Sequence, residues 1–216
     1  MKKRIAVLVS GGGTNLQALL EAEAAGKIPH GEIAMVISNN PNAYALERAK
    51  NFGVPAAVIN KKELGSQAAF EAQLQAVLER NGTDLIILAG FMCILSQNFT
   101  AKWPKRIINV HPSLIPSFCG KGMYGRKVHE AALAKGVKVT GATVHFVNAI
   151  PDGGEILLQK AVAVCPGDTP EALLGLLSVV VLCRFDAHLT ILRCGSSLPY
   201  LLGYSREELR TRFHDR

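Results

Sequence analysis

Asn109 and His111 stand two residues apart in the run Arg106-Ile-Ile-Asn-Val-His-Pro-Ser-Leu-Ile-Pro116. An amide beside an imidazole can stabilise a developing oxyanion and carry a proton, which makes this pair the first candidate for chemistry. The apolar opening of the run reads as a buried parallel strand, and two prolines with a serine stop it. Side chains alternate along an extended chain, so Asn109 and His111 point the same way at one strand end. In open parallel sheets ligands collect outside the carboxyl ends of the strands. The same pattern also fits an Asn and a His that merely cap backbone groups, so the rest of the chain must decide.

The elements around the pair alternate. Arg4 to Ser10 is an aliphatic run that passes into Gly11-Gly12-Gly13-Thr14-Asn15 and then Leu16 to Leu20 at helical spacing. Strand, glycine turn and helix make a plausible phosphate cradle, with Thr14 and Asn15 as helix caps. The turn is neither a Walker A loop nor Gly-x-Gly-x-x-Gly, because Leu16 stands where the third glycine belongs; a tight turn with no ligand fits as well. Strands are expected at Glu32–Ser38, Ala56–Asn60, Asp84–Gly90 and Arg106–His111, with helices at Ala43–Phe52 and Gln67–Asn81 between them. That order predicts an α/β fold, Rossmann-like, with a mostly parallel sheet and helices on both faces. Residues 117–125 read as a loop able to close over a site, Lys127–Lys135 as a helix, and Val137–Val147 and Ile156–Val164 as two strands joined by Asn148-Ala-Ile-Pro-Asp-Gly-Gly154. Asp152 in an Asp-Gly turn is an ordinary turn residue as well as a candidate carboxylate.

Composition sets outer limits. With 216 residues, 49% of them hydrophobic, the chain is long enough for one α/β domain with a complete core. A net charge of +7 suits anionic ligands, and the absence of a Lys/Arg block or an aromatic-interleaved basic stripe argues against nucleic acid. Five cysteines without a C-x-x-C pair indicate neither a zinc site nor a disulfide framework, which fits a reducing compartment. No apolar run is long enough for a signal-peptide core or a bilayer span, so a cytoplasmic protein without a membrane contact is expected.

Five motifs in order then resemble one family. Ser10-Gly-Gly-Gly-Thr-Asn-Leu-Gln, Leu88-Ala-Gly-Phe-Met, Ile108-Asn-Val-His-Pro-Ser-Leu-Ile-Pro, Thr140-Gly-Ala-Thr-Val-His-Phe-Val and Asp152-Gly-Gly resemble the phosphoribosylglycinamide formyltransferases over residues 1–175. The resemblance implies formyl transfer from 10-formyltetrahydrofolate as co-substrate to the amine of glycinamide ribonucleotide in purine (IMP) biosynthesis. It also implies small-molecule partners only, no metal, and a monomer or weak homodimer. Asn109, His111 and Asp152 take the positions of the catalytic trio. Gly13, Thr14 and Asn15 would hold the ribonucleotide phosphate. Met92, Cys93, Ile94 and Leu95, with Asn109 and with Asn148, Ala149, Ile150 and Pro151, would form the pterin pocket. The chemistry agrees: Asn109 can donate to the oxyanion, His111 can hold a proton near neutrality, and a nearby carboxylate would raise the His111 pKa.

Two positions depart from the family pattern. Cys93 stands where a basic residue often follows the Met, and Gln67 where a basic folate contact is expected. After about Gly175 the resemblance ends, and residues 176–216, with six arginines and no lysine, resemble an incomplete start of a PAS sensor domain. Such a tail raises alternatives: a catalytically impaired fragment or fusion acting as a folate- or phosphate-binding or PAS-like module. Other formyl-folate enzymes, of deformylase or methionyl-tRNA formyltransferase type, are further alternatives.

Overall fold

The computed structural model describes residues 2–178, 183–185 and 191–194. In chain order its elements are β1 (Lys3–Val9), α1 (Thr14–Ala24), β2 (Gly31–Ser38), α2 (Ala45–Asn51), β3 (Ala56–Val58), α3 (Lys61–Leu64), α4 (Gln67–Arg80), β4 (Leu85–Leu88), α5 (Gln97–Thr100), β5 (Ile107–His111), α6 (Arg126–Lys135), β6 (Val139–Phe146), β7 (Ile156–Ala163), α7 (Pro170–Ser178), β8 (Cys183–Phe185) and β9 (Ile191–Cys194). Seven strands form one sheet in the order β3-β2-β1-β4-β5-β6-β7. The first five in that order pair parallel, and β6 and β7 add an antiparallel hairpin. The mostly parallel Rossmann-like sheet expected from the alternating elements is therefore what the chain forms.

The alternation of β1 shows why the sheet is buried on both sides. Ile5, Val7 and Val9 pack with Leu16, Leu19 and Leu20 of α1 and Ala45 and Ala49 of α2, while Ala6 and Leu8 pack with Phe70, Leu74 and Leu78 of α4. Two apolar layers leave no solvent-facing side for these strands, which accounts for their unbroken aliphatic sequence. At the other end of the sheet a polar seam closes the bottom. The Asp84 carboxylate accepts from the Arg4 backbone N–H at 2.9 Å, and Arg4 Nη1 bonds Glu32 at 2.8 Å.

Local sequence explains most element ends. Ser66 and Ser96 cap α4 and α5, accepting from Ala69 and Phe99 N–H groups. The expected caps of α1 are different. Thr14 and Asn15 are its first helical residues, and the cap position is Gly13 at φ 72°, with no side-chain cap. A side chain is excluded there twice: the backbone is left-handed, and a Cβ would lie 2.7 Å from that of Ala45. The expected PAS-like tail lies outside the described residues, apart from the end of α7 and the antiparallel pair β8–β9.

His129, on α6, is 0% exposed, and neither of its ring nitrogens has a hydrogen-bond partner among the described residues. Burial, reinforced by the neighbouring His111 and only partly offset by Glu171, pushes its pKa down to about 4. The folded chain therefore takes up this proton less readily than the unfolded chain. The stability this represents is full above the unfolded value of about 6.5 and is lost as pH falls toward 4, about 3 kcal/mol in all. Urea melts between pH 7 and 4 should show the loss, and His129→Leu should flatten the slope by about one proton. An unchanged slope in the variant would reject His129 as the source.

Candidate active site

The carboxyl ends of β1, β4 and β5 lie on one side of the sheet because these strands run parallel. β5 carries Asn109 and His111 to that edge. The neighbouring β6 runs antiparallel, with His145 opposite Asn109 and Thr143 opposite His111. Directly opposed residues share a face, so four polar side chains meet on one side of the strand pair. The β6–β7 turn then brings Asp152 over them. Asp152 has φ 54°, left-handed backbone that a short polar residue tolerates, and Gly154 beside it has no room for a Cβ against the Phe146 carbonyl.

The Asp152 carboxylate is the centre of the cluster. Oδ2 accepts from the Gly120 N–H at 2.8 Å and lies 3.5 Å from His111 Nδ1. Oδ1 lies 3.4 Å from Asn109 Nδ2 and 3.6 Å from His145 Nε2. Burial pushes this carboxyl up, but hydrogen bonding from the protonated form of His145, the Gly120 N–H and the charged form of His111 outweigh it and hold its pKa below the ordinary value. The sequence reading anticipated that Asp152 raises the His111 pKa, and it does so in part. Burial is the larger effect, however, and with the like charge of His145 it leaves His111 net lowered despite help from Asp152 and the Phe118 carbonyl.

Hydrogen bonds fix the tautomers. His111 Nε2 lies 2.8 Å from the Phe118 carbonyl, so in the neutral ring it carries the proton and Nδ1 presents a lone pair toward Asp152. His145 Nδ1 lies 2.8 Å from the Phe146 carbonyl, which leaves His145 Nε2 to accept from Asn109 Nδ2 at 3.1 Å. The Asn109 amide cannot be turned over, since its oxygen would then face a carboxylate and a lone pair. Thr143 braces the arrangement, donating to the Ser113 carbonyl at 2.7 Å and accepting from the Ile115 N–H at 3.0 Å.

His145 and Thr143 carried no assigned role in the sequence reading. Their signal was present: two polar residues at alternate positions near the end of a mostly apolar strand that also carries Thr140. What the sequence did not supply was the antiparallel pairing that sets them opposite Asn109 and His111. The carbonyl of Phe118 and the N–H of Gly120 left no signal, being backbone groups of an irregular loop.

The other candidates fall around the cluster in two groups. Gly11 to Gly13 form the exposed turn at the end of β1, and Arg48 Nε bonds the Gly12 carbonyl at 2.8 Å. Thr14 and Asn15 open α1 and are half-buried. Met92 and Ile94 follow β4 and are 54% and 66% exposed, whereas Leu95 is in the core and Cys93 packs against it. Across the site Ile150 is 65% exposed, with Ala149 and Pro151 also at the surface. Asn148 spends its side chain inside the turn, donating to the Gly153 carbonyl and accepting from the Ile150 N–H. Exposed Met92, Ile94 and Ile150, on segments that follow β4 and β6, offer apolar surface suited to a flat, partly apolar ligand. Among the described residues no group of three or more His, Cys, Asp or Glu could hold a metal ion.

A family model, formyl transferase, matches residues 3–176. The trifunctional purine biosynthetic protein adenosine-3 of Bos taurus is 47% identical over 173 residues, covering 80% of this chain and 16% of that protein. The phosphoribosylglycinamide formyltransferase of Haemophilus influenzae is 43% identical over 169 residues, 78% of this chain and 77% of its own. The crystal structure of glycinamide ribonucleotide transformylase 1 from Symbiobacterium toebii superposes with a TM-score of 0.76 at 45% identity, covering 82% of this chain and 81% of that one. The chain thus spans only about a sixth of the length of the trifunctional relatives. On the matched residues, the shared sheet and the identity to these relatives, the chain belongs to the formyl transferase family.

Proposed function

We propose that this chain transfers a formyl group from 10-formyltetrahydrofolate to the amine of glycinamide ribonucleotide, in the cytoplasm and as a step of purine biosynthesis. The observation that carries the reading is the Asn109, His111 and Asp152 cluster at the end of β5, with a glycine turn after the parallel strand β1 and exposed apolar side chains on the segments after β4 and β6. The activities for which the relatives are named agree with it. The glycine turn with the first residues of α1, Gly13, Thr14 and Asn15, takes the phosphate, where backbone N–H groups at a helix start favour an anion. Met92 to Leu95 and Asn148 to Pro151 take the pterin.

Formyl-folate supplies an electrophilic formyl carbon. The chain's residues handle the charges that an attacking amine creates there. Asn109, held by His145, turns an amide N–H toward the developing oxyanion by giving up its long 3.4 Å contact to Asp152. His111 accepts the amine's proton on Nδ1, where Asp152 stabilises the resulting imidazolium across 3.5 Å. The proton then passes to the folate nitrogen as its bond to the formyl carbon breaks, releasing tetrahydrofolate and the formylated amine. Its lowered pKa keeps the resting ring neutral at physiological pH and ready to accept. The two basic residues replaced by Cys93 and Gln67 remove long-range attraction for a folate carboxylate. Exposed charge pairs contribute only about 0 to 1 kcal/mol each, which predicts a modest loss of affinity with the chemistry intact.

The reading is tested by mixing the protein with both substrates and following tetrahydrofolate and formylated ribonucleotide together. Equal amounts of the two products are expected, with turnover reduced roughly 100-fold or more in His111→Ala at little cost to binding. Formate released at the same rate without the ribonucleotide would mark a deformylase instead, and unchanged turnover in the variant would remove His111 from the mechanism. A second prediction follows from the electrostatics. Asp152→Asn removes the anion that supports the imidazolium, so the His111 ring should titrate at lower pH than in the unaltered protein. An NMR titration with no change, or an upward one, would contradict the coupling.

A further inference from the structure

The segment Met92–Ser96 lies between β4 and α5 with no regular structure, yet it presents two of the most exposed apolar side chains in the protein. A loop without ladder bonds is held only by whatever its backbone groups can find. At its start the Met92 N–H donates to Ser10 Oγ at 2.7 Å, which ties it to the end of β1. At its other end stands Glu71 of α4, a carboxylate only 9% exposed. The Ser96 N–H donates to Glu71 Oε1 at 2.6 Å and the Ser96 hydroxyl to Oε2 at 2.5 Å. Gln67 Nε2, one turn earlier on α4, donates to Glu71 Oε1 at 2.5 Å and to the Ile94 carbonyl at 3.0 Å.

Three donors and no acceptor converge on Glu71. A carboxylate accepts all three; a carboxamide could keep its oxygen on the two N–H donors by turning the Ser96 hydroxyl round to accept, whereas an aliphatic side chain could hold none of them. The same network explains Gln67. Its amide is used up on Glu71 and on the Ile94 backbone, so the residue that replaces a basic folate contact faces the loop and not a ligand.

We infer that Glu71 is a positioning residue for formyl-folate, acting through Gln67 and Ser96 to hold the Ile94 side of the pterin pocket; this rests on the formyl-transfer reading. The carboxylate fixes the backbone from Ile94 to Ser96, so that Ile94 stands out toward the ligand while Leu95 turns into the core. The ribonucleotide turn belongs to β1 and α1 and does not depend on this network. Loss of Glu71 should therefore separate the two substrates.

The test is Glu71→Leu, which removes every acceptor, with Glu79→Leu as a control for charge on the same helix. In Glu71→Leu the KM for 10-formyltetrahydrofolate should rise roughly 10- to 100-fold, the scale of lost hydrogen bonds to a charged group, with kcat and the KM for the ribonucleotide within about threefold. Calorimetric binding of 5-formyltetrahydrofolate should weaken by the same factor and the control should match the unaltered protein. Gln67→Ala, which frees the Ile94 carbonyl and removes one of the three donors to Glu71 but leaves Ser96 on the carboxylate, should give a smaller shift in the same direction and keeps the test available if Glu71→Leu does not fold. A uniform loss of affinity for both substrates, a lower melting temperature without the split, or folate affinity unchanged in both variants would overturn the inference. If the unaltered protein binds 5-formyltetrahydrofolate but transfers no formyl group, the functional reading fails while the binding comparison still decides the role of Glu71.

Discussion

The carboxylate of Asp152 gathers three pieces of chain that are far apart in sequence. It accepts from Gly120 in the loop after β5, faces His111 at the end of that strand, and reaches Asn109 and His145 across the β5–β6 pair. Left-handed backbone at Asp152 and at Phe118, with φ of 54° and 49°, costs on the order of 1 to 2 kcal/mol at each residue. That strain is placed where it sets a carboxylate and a carbonyl on either side of one imidazole.

His111 is consequently held by opposing influences. Burial disfavours its charged form, while Asp152 and the Phe118 carbonyl favour it, and burial prevails. A ring that is neutral at rest but has an anion waiting on its unprotonated nitrogen is suited to receive a proton during a reaction and to release it afterwards. His145 serves differently. Its bond to the Phe146 carbonyl commits one nitrogen, and the other orients the Asn109 amide. Two histidines within one cluster thus divide the work, one moving a proton and the other fixing a donor.

The sequence disclosed those features that local chemistry determines. The aliphatic runs of β1, β2, β4 and β5 could only be buried strands, and Pro112 and Pro116 placed the end of β5 within a residue of where it lies. Asn109 and His111 were legible because side-chain alternation is a property of the strand itself. Features that depend on distant pairing were not. His145 becomes part of the site only because β6 returns antiparallel after α6, and Glu71 looks like any helix acid until Ser96 folds against it. The α1 cap was misread for a related reason, since the close approach of Ala45 that makes Gly13 the boundary is a contact between two separate helices.

The central physical claim is that Asp152 acts on resting His111 as a charge at 3.5 Å and not as a hydrogen-bond partner, because the ring's proton is committed to the Phe118 carbonyl at 2.8 Å. The most direct test is the 15N spectrum of histidine-labelled protein followed through a pH titration. The account predicts that neutral His111 is the tautomer with the proton on Nε2 and that it titrates below the ordinary imidazole value. A neutral ring protonated on Nδ1, or a titration above that value, would contradict it.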